Sequence, residues 1–293
     1  MSQKSINHHY VPQGLLKKWY AKNSDKKNQG FRKYQRKYNG EVSLIPDPCS
    51  SKSSCSENHL NTLYKNVFSI KEEVVEDTNT IEHSFHDLDT DALVLINTII
   101  ESPKEKINTL NSDEKSLFSK FILSLHLRHP ETIQHAKNLI EQKADTHFKY
   151  IAGELEKYEI KNHLDYFKKN INLTAMRSIL EDSESYRLFF DMDLVVIVSE
   201  DNFFFTGEKP LVLNFCKNEV IPSLGYALSL SPKLLLIGCH REFLKGEKIK
   251  FQDFMGKFPV KYNRIVCEQS RYIISTDVLS EELQEMYLDG LLN

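Results

Sequence analysis

Asn7-His8-His9-Tyr10-Val11-Pro12-Gln13 is the most distinctive stretch of this sequence, and the fold can be argued outward from it. Adjacent histidines in an extended segment point in opposite directions, so we expect only one of the pair to face a site. Residues 14–20 follow, with three bulky apolar side chains on one helical face (Leu15, Leu16 and Trp19). This spacing predicts a short amphipathic helix directly after the histidine motif.

A basic β-hairpin is predicted next. Residues 31–38 interleave aromatic and basic side chains, Asn39-Gly40 follows, and residues 42–45 are largely apolar. Asn-Gly between two strand-like runs is a strong hairpin signal, because both residues tolerate the positive φ of a type I′ turn. Residues 47–57 contain five serines and are typical of a flexible surface loop.

The middle of the chain is predicted to be helical and the last third to contain mostly strands. Helices are expected over 81–101, from a capping box formed by Asn111 and Glu114, over 131–157, over 161–184, over 259–270 and over 281–292. Short apolar runs bounded by polar residues predict buried strands at 194–198, 203–205, 211–215, 226–230, 234–238 and 272–275.

This order of elements predicts an α+β fold. We expect an N-terminal basic β-hairpin arm (1–80, with the histidine motif), a central helical layer (81–187) and a C-terminal, mostly antiparallel sheet (188–293). The three regions are interpreted as parts of one integrated domain.

The composition is that of a globular protein, with 293 residues, 40% hydrophobic and 27% charged. No apolar run reaches the roughly 18 residues of a membrane-spanning helix, and the first residues lack the apolar stretch of a secretory signal, so we expect a cytoplasmic protein without a membrane partner. Free thiols are favoured over a disulfide framework or a zinc site, because the five cysteines are scattered and odd in number (Cys49, Cys55, Cys216, Cys239 and Cys267).

The charge is distributed unevenly. Residues 1–40 contain ten Lys or Arg against the single acid Asp25, although the net charge of the chain is -3. Such a basic segment can supply the sequence-independent part of nucleic-acid affinity. It can equally dock on the acidic remainder of the chain or form a solvated face, so these alternatives stay open.

The opening motif, with the apolar residues behind it, resembles the start of the family catalogued as domain of unknown function 4238. The resemblance continues collinearly through Ile81-Glu82, Arg128-His129-Pro130, Thr206-Gly207-Glu208-Lys209-Pro210, Leu228-Ser229-Leu230-Ser231-Pro232 and Asn263. The sequence departs from the family pattern where Gly207-Glu208 replaces Ser-Asp and where the 47–57 loop is long. Members of the family often lie among mobile or defence-like bacterial genes, so the resemblance implies an effector or toxin.

His8 and His9 are the first candidates for catalysis. A histidine before Tyr-Val-Pro also resembles the first motif of HNH (ββα-metal) nucleases, in which such a histidine activates the attacking water. Here Asn58-His59-Leu60-Asn61 lies too far downstream for a compact ββα unit, and the closing metal-ligand histidine is absent. In the alternative interpretation, one histidine caps a turn and the other forms a hydrogen bond across a seam of the fold.

Glu208 is the second catalytic candidate, because it follows a predicted strand within Thr-Gly-Glu-Lys-Pro. Paired with His8 or His9, it could orient the imidazole or bind a divalent metal, with His9 and Glu208 as the metal ligands. The alternative is a plain turn, since Gly and Pro are strong turn residues.

Arg128 is expected to hold phosphate at the end of its helix, where His126 and His129 lie beside it. A helix C-terminus favours cations in any case, so Arg128 and His129 need no ligand to explain them. The substrate-binding candidates share a polar or basic side chain near a motif, and they are Arg128, Lys17, Lys18, Arg32, Gln13 and Asn263.

Two hypotheses of function follow. The first is a nucleic-acid-directed effector, a metal-dependent nuclease-like toxin or defence protein that contacts nucleic acid through residues 1–40. The second is a non-catalytic binding or regulatory module in which HHYVPQ and TGEKP are structural clasps. The chain contains no Gly-rich phosphate loop, Gly-x-Ser-x-Gly elbow or zinc-protease helix motif, which argues against those enzyme classes.

Overall fold

A computed structural model describes residues 7–21, 29–38, 40–69, 72–157, 163–213, 225–240 and 248–288, with the side chains of 248–255 excluded. Asn39, Cys216 and the predicted ends of the strand at 215 and the helix at 292 lie outside these ranges. The described helices are α1 (Gln13–Leu16), α2 (Thr80–Glu101), α3 (Pro103–Asn108), α4 (Ser112–Leu127), α5 (Pro130–Lys143), α6 (Asp145–Lys157), α7 (His163–Glu181), α8 (Ser183–Phe190), α9 (Lys248–Gln269) and α10 (Glu281–Tyr287).

The described strands form two four-stranded antiparallel sheets and two two-stranded ribbons, so the α+β prediction is confirmed. They are β1 (Asn7–His9), β2 (Arg32–Arg36), β3 (Val42–Leu44), β4 (Ser56–Asn58), β5 (Leu63–Lys65), β6 (Val75–Asp77), β7 (Asp193–Val198), β8 (Thr206–Gly207), β9 (Leu211–Leu213), β10 (Gly225–Ser231), β11 (Leu234–Cys239) and β12 (Tyr272–Ser275). The sheets have the orders β7-β11-β10-β9 and β3-β2-β12-β8, and the ribbons are β1-β4 and β5-β6.

The sheet β7-β11-β10-β9 is covered on both faces. Along β10, Tyr226 and Leu228 pack into a core cluster with α2 and α4, whereas Ala227 packs into a second cluster with α9. Side chains alternate across a strand, so a strand that is apolar at every position must bury both faces. This explains why the sequence of β11 is an uninterrupted apolar run and why that of β10 is interrupted only by Ser229 before its last residue.

The predicted hairpin is present as β2 and β3, with Gly40 at φ 87° in the turn. The Lys37 N–H donates to the Glu41 carbonyl, so the turn is longer than the two-residue type I′ turn predicted from Asn-Gly. Its strand β2 pairs with β12, which places Tyr34 opposite Ile273. The basic hairpin is therefore part of a sheet shared with the C-terminal region and does not form an arm that stands apart from it.

The helical layer follows the predicted caps closely. The Asn111 side chain accepts a hydrogen bond from the backbone N–H of Glu114, and the Glu114 carboxylate accepts one from the backbone N–H of Asn111. This reciprocal capping box begins α4, which buries Phe118, Phe121 and Ile122. Within the described ranges, no helix has the length and apolar character needed to cross a membrane.

The strand predicted at 203–205 is absent, although Phe204 and Phe205 are buried. Side chains form hydrogen bonds with much of the backbone of this segment. Trp19 donates to the Phe204 carbonyl, and Asn263 donates to the Phe203 carbonyl and accepts from the Phe205 N–H. An apolar run can thus be buried as an irregular segment when side chains take the place of a neighbouring strand.

The flexible loop predicted over 47–57 was also wrong, because it contains β4 and a short 3-10 turn. Serines order the segment: Ser50 caps the turn, and Ser51 is bound through both its backbone and its hydroxyl to Tyr20. Hydroxyl side chains that bond locally to the backbone favour caps and turns, which need not be flexible.

Smaller differences concern helix boundaries and two strands. Helix α9 begins at Lys248 rather than near residue 259, and it contains Pro259 in its interior. The amphipathic helix predicted over 14–20 is α-helical only as α1 and continues as a 3-10 turn. Ribbon β5-β6 was not predicted. The described cysteines are free thiols, as expected (Cys49, Cys55, Cys239 and Cys267).

Candidate functional site

The histidine motif forms strand β1 and pairs antiparallel with β4, which places His8 opposite Glu57 and His9 opposite Ser56. Directly after β1, the Cys55 carbonyl accepts hydrogen bonds from the backbone N–H groups of Tyr10 and Val11, at 3.0 and 3.5 Å. The serine-rich segment thus fixes the direction of both imidazoles.

His8 is fully buried and holds the chain together locally. Its Nδ1 accepts a hydrogen bond of 2.8 Å from the backbone N–H of Asn61. The Asn61 side chain in turn donates to Glu82 on α2 at 3.0 Å. His8 therefore joins β1 to the segment before β5, as the clasp interpretation of one histidine anticipated.

His9 lies on the opposite side of β1 and is partly exposed. Its Nδ1 is buried without a hydrogen-bond partner among the described residues. Burial lowers the pKa of His9 and the charge of Arg128 adds to that shift, while a hydrogen bond to the Ser54 backbone and the carboxylates of Glu82 and Asp89 oppose it. The imidazole is therefore neutral at neutral pH and can accept a proton.

Arg128 is fully buried beside this group and is bound to Asp89. Its Nη1 and Nη2 donate to the two Asp89 carboxylate oxygens, each at 2.8 Å, and its guanidinium lies 5.2 Å from the ring centroid of Phe85. A two-bond pair of this kind is a strong and geometrically specific contact. The guanidinium expected to hold phosphate is thus enclosed and already paired with a carboxylate.

Tyr10 connects the histidine motif to two of the other motif segments. Its ring packs edge-on against His129, with centroids 5.3 Å apart, and the charge of Glu208 acts on its hydroxyl. Beside them, Lys209 and Glu131 form an ion pair of 2.5 Å. HHYVPQ, Arg-His-Pro and TGEKP therefore converge in space, as expected if the motifs belong to one site.

Glu208 is bound to the backbone and, among the described residues, has no hydrogen bond to a histidine. Its Oε1 accepts a hydrogen bond of 2.6 Å from the backbone N–H of Arg271, and burial raises the pKa of its carboxyl group. Within the described part of the chain, no hydrogen bond or ion pair joins Glu208 to His9. The carboxylates that act on His9 are those of Glu82 and Asp89.

The remaining predicted binding residues are spread over the structure. Asn263 is fully buried, and its amide is bonded to the backbone of Phe203 and Phe205, so it has no surface for a substrate. Gln13 begins α1 and is partly exposed. The three basic candidates lie apart from His9 in their contacts: Lys17 is exposed, Lys18 binds the side chain of Asn97, and Arg32 donates to the Pro46 carbonyl.

A set of alternating basic and aromatic side chains lies on the hairpin sheet and consists of Lys33, Tyr38, Arg271 and Tyr272, here called the basic–aromatic surface. Lys33 Nζ is 4.0 Å from the ring centroid of Tyr272, and the Arg271 guanidinium is 5.4 and 5.5 Å from the rings of Tyr38 and Tyr272. Tyr38 is 99% exposed, so one of its ring faces remains available for stacking.

No three His, Cys, Asp or Glu side chains of the described residues are grouped as a metal site would require. His9 and Glu208, the expected ligand pair, are not joined and have no third ligand in this part of the chain. The described side chains therefore do not form a site that fits a metal ion.

Sequence reasoning missed the roles of Asn61, Glu82 and Asp89. A signal for the two acids was present, because Glu82, Phe85 and Asp89 follow the spacing of one helix face and Phe85 is buried. Acids within a buried stripe require partners. Which partners they find, Asn61 and Arg128, depends on contacts that are distant in sequence.

The fold and the site together define an α+β protein. In it, the strand β1, which carries the two histidines, lies beside the acidic residues of α2 and the buried Arg128. Residues 7–277 match the family described as "Protein of unknown function (DUF4238)", and the chain belongs to that family. The family match does not support the resemblance of the first motif to HNH nucleases. No curated protein and no solved structure matches the chain.

Proposed function

We propose that this protein is a nucleic-acid-directed effector of the toxin or defence type, acting in the cytoplasm, with His9 as its proton-transfer group. The observation that carries the proposal is the difference between the two histidines. His8 is enclosed and bonded through Nδ1 to Asn61, whereas His9 is partly exposed and carries a lowered pKa.

A neutral imidazole can act as a general base on a phosphodiester. His9 takes the proton from the attacking water, a new P–O bond forms, and the bond to the leaving oxygen breaks as that oxygen takes a proton from solvent. The carboxylate of Glu82 favours the imidazolium that results, because it raises the pKa of His9, whereas the charge of Arg128 opposes the imidazolium and outweighs the contribution of its partner Asp89. Glu82 acts as an electrostatic group, not as a base.

The basic–aromatic surface supports nucleic acid as the target. Stacking on exposed rings and contact with basic side chains are the two means by which proteins hold single strands without sequence preference. The surface is linked to the histidine motif, because Arg271 donates its backbone N–H to Glu208 and the Glu208 charge acts on Tyr10. We propose that a strand lying over Tyr38 and Tyr272 continues towards the converging motifs.

The test is degradation of single-stranded RNA and DNA by the purified full chain, with and without added Mg²⁺, Mn²⁺ or Zn²⁺. We expect cleavage by the wild-type protein and a loss of at least about a hundredfold in His9→Gln, in line with the contribution of a general base. Because the described side chains form no metal site, activation by an added ion would mean that the ion is held together with the nucleic acid or by other residues. Absence of cleavage under all four conditions, or full activity in His9→Gln, would overturn the proposal.

A non-catalytic binding or regulatory module is the second candidate, favoured by the backbone contacts of His8 and Glu208. Both side chains accept backbone N–H groups from segments distant in sequence, Asn61 and Arg271 respectively. In this case HHYVPQ and TGEKP act as clasps. Substitution of His8, His9 or Glu208 would then change stability and leave any binding activity of the folded protein intact.

A further inference from the structure

A cleft of about 430 Å³ lies between α5, α7 and the segment that joins β4 to β5. Small-molecule sites typically occupy about 300–1,000 Å³. The proposed chemistry at His9 uses none of the residues that line it. The lining residues include Lys137, Lys169, Tyr166, Asn172 and His59.

Asn172 provides an unpaired acceptor in this cleft. It is 4% exposed, and its Oδ1 has no hydrogen-bond partner among the described residues. A buried polar atom without a partner costs about 1–3 kcal/mol, so such atoms are rare unless a water, an ion or a ligand completes them. Oδ1 is enclosed in this structure, so a ligand that brings an N–H or O–H donor would complete it once the Asn172 amide turns towards the cleft.

Two half-buried lysines line the same space. Lys169 Nζ donates to the His59 carbonyl at 2.6 Å, and neither Lys169 nor Lys137 forms an ion pair with a described carboxylate. Burial lowers the pKa of Lys169 and the charge of Lys137 adds to that shift, while the carboxylates of Glu57 and Glu76 oppose it. An anion placed between these ammonium groups would relieve their repulsion.

Aromatic lining completes the cleft. The rings of Tyr64 and Tyr166 are stacked, with centroids 4.3 Å apart and planes 23° apart, and both side chains line the cleft. The acids that line it, Glu57 and Asp165, are exposed, and the charge of Glu57 acts on Lys169. His59 adopts φ 57°, a conformation that non-glycine residues rarely take and that is concentrated at functional sites.

We infer that this cleft binds a nucleoside monophosphate, with the phosphate between Lys137 and Lys169, the base beside the tyrosine pair and a base amino group donating to Asn172 Oδ1. An anionic group, a planar ring and an N–H donor are the three features that the lining requires, and a nucleotide carries all three. The inference does not depend on the proposed activity of His9.

Calorimetric titration of the full chain with adenosine monophosphate, adenosine and inorganic phosphate tests the inference. We expect adenosine monophosphate to bind more tightly than either part. Lys137→Ala should weaken its binding about tenfold or more, the value of one hydrogen bond to a charged group. Lys143→Ala, an exposed lysine at the end of the same helix, is the matched control and should bind as the wild type does.

Asn172→Leu is a second variant that separates recognition from folding. It removes the acceptor and replaces the amide with an apolar side chain that branches at the same carbon, so we expect weaker nucleotide binding with little loss of stability. If Asn172→Leu does not fold, Lys137→Ala and Lys143→Ala decide alone. Absence of binding at millimolar nucleotide, equal binding of adenosine, or unchanged affinity in Lys137→Ala would each overturn the inference.

Discussion

Arg128 and Asp89 are joined by two parallel hydrogen bonds of 2.8 Å, although they are 39 residues apart in sequence. The pair connects the end of α4 to the middle of α2 and lies beside His9, whose pKa responds to both charges. Arg128 has no exposed surface and Asp89 is 17% exposed. The pair therefore fixes the acidic helix next to the histidine strand.

Asp89→Ala should lower the free energy of unfolding by about 3–5 kcal/mol, because it leaves the buried Arg128 charge without its partner. Urea denaturation measures the change. Asp87→Ala, on the exposed side of the same helix, is the control and should stay within about 0.5 kcal/mol of the wild type. Equal effects of the two substitutions would show that the Arg128–Asp89 pair contributes no net stability.

The two histidines should respond differently to truncation. His8→Ala leaves the buried Asn61 N–H without an acceptor, which should cost about 1–3 kcal/mol of unfolding free energy. His9→Ala removes a ring whose Nδ1 has no described partner, so we expect a loss of about 1 kcal/mol or less. Thermal melts of both variants measure this order, and a larger loss in His9→Ala would favour the clasp function.

Glu208 can be tested as a clasp and as a catalyst with two substitutions. Glu208→Gln keeps an oxygen that can accept the Arg271 N–H, so its stability should stay close to that of the wild type, whereas Glu208→Ala should lose about 1–3 kcal/mol. Urea denaturation of both variants checks this. A stable Glu208→Gln protein that has lost nuclease activity would identify a catalytic role instead, as the sequence predicted.

Stability should fall as the pH decreases from about 6.5 towards 4, in part because of His129. Burial lowers the pKa of His129 to about 4, and the nearby Lys209 acts in the same direction. The unfolded chain, with an ordinary histidine pKa of about 6.5, binds more protons between these values, so protonation favours unfolding there. The stability contributed by neutral His129 is complete above about pH 6.5.

Urea denaturation at pH 7, 6 and 5 checks this, with His129→Gln as the comparison. Glutamine does not titrate, so the variant should lose less stability over the same range, whatever its stability at pH 7. His9 and His126, whose pKa values are also lowered by burial, remain in both proteins and cancel in the comparison. Equal slopes for the two proteins would contradict the assignment to His129.

The sequence predicted the elements whose signals are local. The capping box at Asn111 and Glu114 depends on residues three apart, and the Asn-Gly turn requires only the positive φ that Gly40 adopts. The apolar runs at 226–230 and 234–238 predicted buried strands, and β10 and β11 are buried there on both faces. In each case the physical cause lies within a few neighbouring residues.

The site could be predicted only in outline, because its contacts join distant segments. HHYVPQ indicated that one histidine would face a site, but nothing local pairs residue 8 with Asn61 or Arg128 with Asp89. The segment 203–205 was misjudged for a related reason. Its backbone partners are side chains from Trp19 and Asn263, and no periodic pattern reports such contacts.

Tyr38→Ala should weaken binding of single-stranded DNA about fivefold to 150-fold, since one base stacked on an aromatic ring contributes about 1–3 kcal/mol. The ring is 99% exposed, so folding should be unaffected. Tyr150→Ala on α6, which removes another exposed tyrosine (71%), is the matched control and should bind normally. Fluorescence anisotropy with a labelled oligothymidine measures both affinities. Arg271→Ala should also reduce the salt dependence of binding, by about 0.7 in the slope of log K against log salt, if its guanidinium contacts one phosphate. Equal affinities for wild type, Tyr38→Ala and Tyr150→Ala would remove the basic–aromatic surface from the proposed function, while leaving the proton-transfer role of His9 to be judged by the cleavage assay.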